Sequence, residues 1–220
     1  DFAETLGYTT LKQRNRFSLA LVLGGAEVKP IEHASAFATF ANEGILYPTS
    51  AILRVEDANG KVLEEWQKPE GARVMEPQIP RLISNVLSDN DARAYIFGTR
   101  NSLTLPDRPV AAKTGTTNNY HDAWTVGYTP SIVTVVWVGN NDNKEMKRGA
   151  DSSAVAAPIW QAYMKRATKD MPIERFTPPD PPTTNKLVLL GQVTSTTINI
   201  DKISGKRATD LTPPEFIEAR

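Results

Sequence analysis

Three apolar runs rich in β-branched and aromatic residues follow one another in the middle of the chain, separated only by short polar segments. They are PVAAKTGTT at 109–117, AWTVGYTP at 123–130 and SIVTVVWVGNN at 131–141. Such short connections are typical of antiparallel neighbours, because parallel strands need a long crossover between them. The sequence therefore predicts a three-stranded antiparallel meander. A separate hairpin is predicted at 50–66, where ANGK forms the turn.

Helical patterns flank these runs on both sides. The segment 29–44 carries Pro30 in its first turn and Gly44 at its end, where helices commonly begin and stop. The segments 76–90 and 157–169 repeat apolar residues at a period of about 3.6, so each predicts a helix with one apolar face. Those faces comprise Ile79, Leu82, Ile83, Val86 and Leu87 in the first and Trp160, Tyr163, Met164 and Ala167 in the second. We therefore expect an α+β fold, with an antiparallel sheet flanked by helices.

Proline interrupts the C-terminal part of the chain. Residues 176–185 hold four prolines (FTPPDPPTTN), a density that excludes a regular helix or strand. We therefore assign 1–175 to one domain, 176–185 to a linker and 186–220 to a β-rich extension. Within the extension two strands are predicted, at 186–193 and 195–201.

The composition excludes several kinds of function. Lysine and arginine together number 25, as do aspartate and glutamate, so no net charge draws the chain to nucleic acid. The absence of cysteine excludes disulfides, thiol nucleophiles and cysteine-ligated zinc, and we expect no metal or other cofactor. His33 lies in an alanine-rich helical pattern, where packing explains it. No apolar run approaches the ~20 residues of a membrane span, and because the chain begins at Asp1 we expect it to be part of a longer protein.

The first strand-like run contains K-T-G-T-T, which is the candidate site. Side chains alternate along a strand, so Thr114 and Thr116 would share one face, and the other face would carry Lys113, Gly115 and Thr117. Two hydroxyls about 7 Å apart can reach one carboxylate, and a lysine adds positive charge. Glycine allows close approach to the backbone, and an unpaired strand edge can bind an extended peptide. Taken alone, K-T-G is explained more simply by a solvent-exposed edge strand.

The wider order of motifs is more specific than K-T-G. RPVAAKTGTTNNYHDAWTVGYTP at 108–130 is followed by VTVVWVGNND and later by AAPIW. This order resembles the third active-site motif of penicillin-binding proteins, in the transpeptidase domain of the bifunctional class A type. PIEHASAFATFANEG and ARAYIFGT are also similar to segments of that family, and the resemblance covers most of residues 1–168. It implies the penicillin-binding transpeptidase fold, which is similar to that of serine β-lactamases.

The resemblance also implies acyl transfer. In that family a serine attacks the penultimate D-alanine carbonyl of a peptidoglycan stem peptide, D-alanine leaves, and an amine of a neighbouring stem resolves the acyl-enzyme. β-Lactam antibiotics mimic the D-Ala-D-Ala end. The implied location is the outer face of the bacterial cell membrane, reached through an N-terminal anchor, and nucleic acid is not an implied partner.

Carried over to this chain, the family's roles fall on the K-T-G-T-T residues. Lys113 organises the proton network, and the hydroxyls of Thr114 and Thr116 bind the terminal carboxylate. The Thr116 N–H forms one arm of the oxyanion hole. Gly115 and Thr117 complete the substrate-binding strand. Ala112 departs from the family's pattern, in which glycine often precedes the lysine.

The family's other two motifs, S-x-x-K and S-x-N, are expected outside this chain. S-x-x-K holds the nucleophile and does not occur in the sequence, and TTLK at 9–12 has threonine in place of the serine. SDN occurs at 88–90, but it follows a predicted helix, where Ser, Asp and Asn are ordinary turn residues. We therefore expect both motifs upstream of residue 1, in the other half of the domain, which would be the partner of this chain.

Three functions remain open from the sequence. The first is a D,D-transpeptidase, which DAW, GYTP and VWVG favour by resemblance. The second is a D,D-carboxypeptidase or β-lactamase on the same fold, and the third is a binding module that lacks catalysis. Asp122 and Trp124 are expected to be structural in all three, with Asp122 bracing a turn and Trp124 packing beneath the sheet.

Overall fold

The computed structural model describes residues 1–190 and 198–219 of the chain. The chain divides into two compact units, Asp1–Pro179 and Asp180–Arg220. The division falls inside the proposed linker at 176–185, while the limits of the three predicted segments stay a prediction. The helices of the first unit are α1 (Phe2–Thr5), α2 (Pro30–Ala41), α3 (Gln78–Ser88), α4 (Asn90–Phe97) and α5 (Ala156–Ala167). Its strands are β1 (Ile45–Leu46), β2 (Arg54–Glu56), β3 (Val62–Glu65), β4 (Ala72–Arg73), β5 (Ala111–Thr116), β6 (Asp122–Tyr128) and β7 (Val133–Gly139).

The central sheet consists of β5, β6 and β7 in that order, each strand antiparallel to the next. The predicted meander is therefore confirmed. Its register places Thr114 opposite Thr125, and Thr125 opposite Val136. The predicted hairpin is also confirmed, because β2 pairs with β3 and Asp57 Oδ1 accepts hydrogen bonds from the backbone of the turn.

One face of the central sheet packs on α5. The buried cluster between them comprises Leu103, Leu105, Val110, Ala112, Ala157, Trp160 and Met164. Trp160 lies so close to Gly127 on β6 that a Cβ at that position would overlap the indole ring. The sheet can therefore approach this helix only because position 127 has no side chain.

The opposite face of the sheet packs on α2. The His33 ring lies 5.7 Å from the Trp124 ring, and the Phe37 ring lies 6.1 Å from that of Tyr128. The predicted helix at 29–44 is confirmed as α2, and Gly44 follows it with a φ of 90°, a conformation that glycine adopts without strain. The sheet thus lies between helices on both faces, as an α+β fold requires.

The predicted apolar faces of two helices are only partly buried. In α5, Trp160 and Met164 are buried as expected, but Tyr163 is 55% exposed. Tyr163 follows Trp160 by three positions, and such a residue points about 60° to one side of the first around the helix axis. Its ring therefore lies beside the buried stripe. In α3, the side chains of Ile79, Leu82 and Val86 are exposed, and Pro80 and Ser84 are buried instead. The apolar period predicted the helix correctly, but not which side of it the sheet would cover.

The second unit contains an antiparallel hairpin of β8 (Asn199–Asp201) and β9 (Ile217–Ala219). The predicted strand at 195–201 is confirmed for its last residues, while 195–197 lie outside the described residues. The strand predicted at 186–193 is wrong over Leu187–Leu190, which form a 3-10 helix, and 191–193 again lie outside. An apolar run becomes a strand only beside a hydrogen-bonding neighbour. In the described part of this unit, β8 and β9 pair with each other.

Among the described residues, no helix is both long enough and apolar enough to cross a membrane.

Candidate active site

The K-T-G-T residues form the end of β5, which is an edge strand of the central sheet. The Thr117 N–H donates to the Asp122 carbonyl at 3.0 Å, so the backbone at Thr117 faces β6. Backbone groups alternate in direction along a strand, and those of Thr114 and Thr116 therefore face the other edge. Within the described ranges no strand pairs with that edge. The Thr116 N–H is thus directed to an open side of the sheet.

Two cationic side chains bind the carbonyl groups of this open edge. Lys113 Nζ donates to the Thr114 carbonyl at 2.6 Å. Arg93 on α4 donates to the Ala112 carbonyl at 3.4 Å and also to that of Leu87 at the end of α3. Burial lowers the pKa of the Arg93 guanidinium from its ordinary high value. Arg93 was not predicted as a site residue, although it lies in the ARAYIFGT segment that carries part of the family resemblance.

Side chains at 113–116 alternate between the two faces as predicted. Thr114 and Thr116 lie opposite Thr125 and Ala123 on the face toward α5. Lys113 and Gly115 lie opposite Val126 and Trp124 on the face toward α2. Lys113, Gly115 and Thr116 are exposed, and Thr114 is half-buried. The strand therefore presents a cation on one side and a pair of hydroxyls on the other.

The hydroxyl of Thr117 is engaged in the turn between β5 and β6. Its Oγ1 accepts from the Asp122 N–H at 2.7 Å and lies 3.1 Å from Asp122 Oδ2. The other carboxylate oxygen, Asp122 Oδ1, accepts from Trp137 Nε1 at 2.8 Å. The expectation that Asp122 braces the turn is confirmed. The part of Thr117 in ligand binding stays a prediction.

The Thr116 hydroxyl has a partner that the sequence analysis missed. Thr116 Oγ1 accepts a hydrogen bond from the Ser152 N–H at 3.0 Å. Ser152 is buried, and its own hydroxyl donates to the Trp124 carbonyl and lies 2.8 Å from Thr125 Oγ1. The only sequence signal for this link is the small polar pair Ser152–Ser153 just before α5.

His33 and Trp124 form part of the packing beneath the sheet, as expected. Tyr8 Oη lies 2.6 Å from His33 Nδ1, and Trp124 is half-buried against the imidazole. Burial lowers the pKa of the His33 imidazole below its ordinary value. Burial, with the negative charge of Glu32 as the smaller cause, raises the pKa of Tyr8 to about 12.

The SDN sequence joins two helices, which agrees with its interpretation as turn residues, while the position of the second catalytic motif stays a prediction. Ser88 Oγ donates to the Asn85 carbonyl at 3.2 Å. Asp89 lies between α3 and α4 and caps α4, because its Oδ1 accepts from the Ala92 N–H at 2.9 Å. Asn90 Nδ2 donates to the Thr99 carbonyl at 3.0 Å. All three side chains are used in local backbone or cap contacts.

Comparison with known proteins identifies the class to which this fold and strand belong. The sequence profile of the penicillin-binding protein transpeptidase domain matches residues 4–165. The chain therefore belongs to the penicillin-binding protein transpeptidase family, and the resemblance found in the sequence is confirmed.

Two of the similar proteins are named penicillin-binding protein 1A. The protein from Aquifex aeolicus (strain VF5) is 40% identical over 157 residues, which cover 71% of this chain and 21% of that protein. The protein from Neisseria lactamica is 31% identical over 168 residues, which cover 74% of this chain and 21% of that protein. The chain thus spans about a fifth of the length of these relatives.

Solved structures agree with this family. PonA1 of Mycobacterium tuberculosis has a TM-score of 0.69 and 29% identity, covering 84% of this chain and 55% of that chain. The same protein in complex with penicillin V has a TM-score of 0.68 at 29% identity, covering 81% of this chain and 51% of that one. Penicillin-binding protein 1A of Haemophilus influenzae, at 24% identity and a TM-score of 0.66, shows the same fold over 98% of this chain and 35% of that chain.

Proposed function

We propose that this chain supplies the K-T-G-T side of the active site in a serine-type D,D-transpeptidase that cross-links peptidoglycan stem peptides ending in D-Ala-D-Ala. The observation that carries the proposal is the edge of β5. There an exposed lysine, two threonines and an outward-directed backbone N–H lie within four consecutive residues. The family to which the chain belongs supports the reaction type.

The proposed reaction is acyl transfer through a serine ester. The serine oxygen bonds to the carbonyl carbon of the penultimate D-alanine, the amide C–N bond breaks, and the terminal D-alanine leaves with the proton that the serine gave up. An amine of a neighbouring stem then attacks the ester, and the serine regains a proton. The nucleophilic serine belongs, in this proposal, to an upstream half of the domain, since S-x-x-K does not occur in the sequence.

Each residue of the strand edge has a proposed part in this reaction. The Thr116 N–H donates to the oxyanion, a contribution that is typically worth about 10²–10³ in rate. The hydroxyls of Thr114 and Thr116 donate to the terminal carboxylate of the stem peptide, and Gly115 lets that peptide lie against the backbone. Lys113 contributes positive potential and organises proton transfer. Thr117 holds the turn beside this binding strand.

The ligands and location of the whole protein follow from the same proposal. β-Lactams would acylate the serine in place of the stem peptide, and the PonA1 complex with penicillin V supports this. The whole protein would work on the outer face of the cytoplasmic membrane, held there by an N-terminal anchor. By resemblance to the class A type, it would also carry a glycosyltransferase domain.

The proposal is tested on the full-length protein that contains this chain. Incubation with penicillin V followed by intact mass measurement should reveal one covalent adduct, and peptide mapping should place it on an S-x-x-K serine. A synthetic D-Ala-D-Ala peptide with an amine acceptor should release D-alanine and form the cross-linked product. Rapid loss of the adduct, or transfer to water alone, would instead indicate a β-lactamase or a carboxypeptidase. Absence of any adduct, together with unconsumed penicillin V and no release of D-alanine, would contradict all three enzymatic functions.

A further inference from the structure

We infer that Ser152 is a positioning residue for the active site, which fixes the Thr116 hydroxyl as a hydrogen-bond donor toward the carboxylate of the ligand. The inference rests on the proposed function, because it concerns the anion that the K-T-G-T strand would bind. Ser152 lies between β7 and α5, outside the catalytic motifs. The inference gives it a part in selecting the ligand.

The hydrogen bond between Thr116 and Ser152 has a fixed direction. Thr116 Oγ1 accepts from the Ser152 N–H at 3.0 Å, and a backbone N–H can only donate. The hydroxyl proton of Thr116 is therefore not used in this contact. Among the described residues the Thr116 hydroxyl donates no hydrogen bond, and Thr116 is exposed at the strand edge. The proton is left for an acceptor on a bound ligand.

Ser152 is held in place on several sides. Its side chain is buried, its hydroxyl donates to the Trp124 carbonyl, and Thr125 Oγ1 lies 2.8 Å away. Its carbonyl accepts from the N–H groups of Ala156 and Ala157, at 3.1 and 2.8 Å, in the first turn of α5. Ser152 is thus held to β6 on one side and to α5 on the other. The Ser152 N–H therefore has a fixed position under Thr116.

The consequence concerns which ligands the strand accepts. A carboxylate has only acceptor atoms, and so it matches a hydroxyl whose proton points outward. An ester or amide in the same place offers a weaker acceptor with no charge, and a hydrogen bond to a charged group is about twice as strong as one between neutral groups. Loosening Ser152 should therefore weaken the binding of an anionic ligand more than that of its neutral ester.

The test compares penicillin V with its methyl ester as acylating agents of the full-length protein. In Ser152→Ala the second-order acylation rate should fall by about tenfold for penicillin V and by less than about twofold for the ester. The matched control is Ser153→Ala, which removes the neighbouring hydroxyl that donates to Asp151 Oδ1 at 2.5 Å and does not contact Thr116. Ser153→Ala should leave both rates unchanged. A merely structural role for Ser152 would lower both rates by the same factor, which would overturn the inference.

Two further variants keep the test decisive. In a Thr116→Val background, adding Ser152→Ala should produce no further selective loss, because the residue that Ser152 positions has lost its hydroxyl. If Ser152→Ala does not fold, Thr125→Val removes one of its partners and should cause the same selective loss, to a smaller extent. Equal losses for both agents with Thr125→Val would overturn the inference about Ser152 and leave the proposed function standing. Failure of the unchanged protein to react with penicillin V would overturn the proposed function, and the inference with it.

Discussion

Ser84 on α3 and Tyr128 at the end of β6 join their hydroxyls at 2.9 Å in the interior of the protein. Both side chains are buried. Burial raises the pKa of Tyr128 to about 12, while the hydrogen bond to Ser84 acts in the opposite direction. This contact connects α3 to the face of the sheet that carries Lys113, and it explains why a serine rather than an apolar residue of α3 faces inward.

Tyr128→Phe should therefore destabilise the fold by about 1–2 kcal/mol, because the buried Ser84 hydroxyl loses its partner. The double variant Tyr128→Phe with Ser84→Ala should recover part of this loss, since neither polar group then remains. Thermal unfolding of the protein measures both effects. Tyr163→Phe is the control, because that ring is 55% exposed and should not change the unfolding temperature. Equal midpoints for Tyr128→Phe and the unchanged protein would show that the contact contributes nothing.

Thr116→Val should slow acylation by penicillin V in the full-length protein and leave the fold formed, with some loss of stability because the Ser152 N–H loses its acceptor. Valine has nearly the same shape as threonine but lacks the hydroxyl. A hydrogen bond to a charged group contributes ~1.5–3 kcal/mol, or about 10–100-fold in rate. Stopped-flow measurement of the acylation rate tests this. Thr116→Ser keeps the hydroxyl and should retain most of the rate. If Thr116→Val reacts as fast as the unchanged protein, the carboxylate assignment is wrong.

Lys113→Ala should reduce acylation more than Thr116→Val does, because it removes a positive charge on which the proposed proton network depends. Labelling by a fluorescent penicillin measures the effect. Lys144→Ala provides a comparison that removes an exposed lysine paired with Asp142 at 2.6 Å, and it should label normally. Normal labelling of Lys113→Ala would exclude this lysine from the site.

Ser88→Ala should leave the acylation rate unchanged, since Ser88 contacts a local carbonyl at the end of α3. Asp89→Ala should instead lower stability by about 1 kcal/mol through loss of the α4 cap. The acylation rate and the unfolding temperature separate the two outcomes. A large loss of acylation in Ser88→Ala would mean that SDN is the second catalytic motif after all.

Stability should decline as the pH falls below about 6.5, the ordinary pKa of histidine. The folded-state pKa of His33 is lowered by burial, so the unfolded chain binds the proton more readily than the folded one. Stability therefore falls with decreasing pH through the interval between the two pKa values and levels off below the folded-state value. Protonation of His33 would also make both ring nitrogens donors, including the Nδ1 that lies 2.6 Å from Tyr8 Oη.

Unfolding temperatures at pH 7.5 and pH 5 test this dependence. His33→Asn should flatten the difference between the two temperatures, even if it lowers both. An unaltered pH dependence in His33→Asn would assign the effect to other groups.

The sequence predicted the parts of the fold that depend on local pattern. The short connections between three β-rich runs predicted the antiparallel meander. The alternation of side chains along β5 predicted that Thr114 and Lys113 lie on opposite faces of the sheet. The link from Thr116 to Ser152 could not be predicted, because the two residues are 36 apart in the chain and meet only through tertiary packing. The apolar period of α3 also could not predict which side of this helix is buried, because its apolar residues extend beyond the stripe that meets the sheet.

The chain on its own, without an upstream half, should form no covalent adduct with penicillin V. Its sequence contains no S-x-x-K, and oxyanion donors accelerate nothing without a nucleophile. It should also self-associate, because apolar side chains of α3 and α4 are exposed, among them Leu82, Val86 and Ile96. Light scattering should detect this association, and Leu82→Lys with Val86→Lys should reduce it. Intact mass after incubation with penicillin V decides the first point. An adduct on the chain alone would reveal a nucleophile within these residues. An adduct only on an added upstream segment would support a site that the two parts form together.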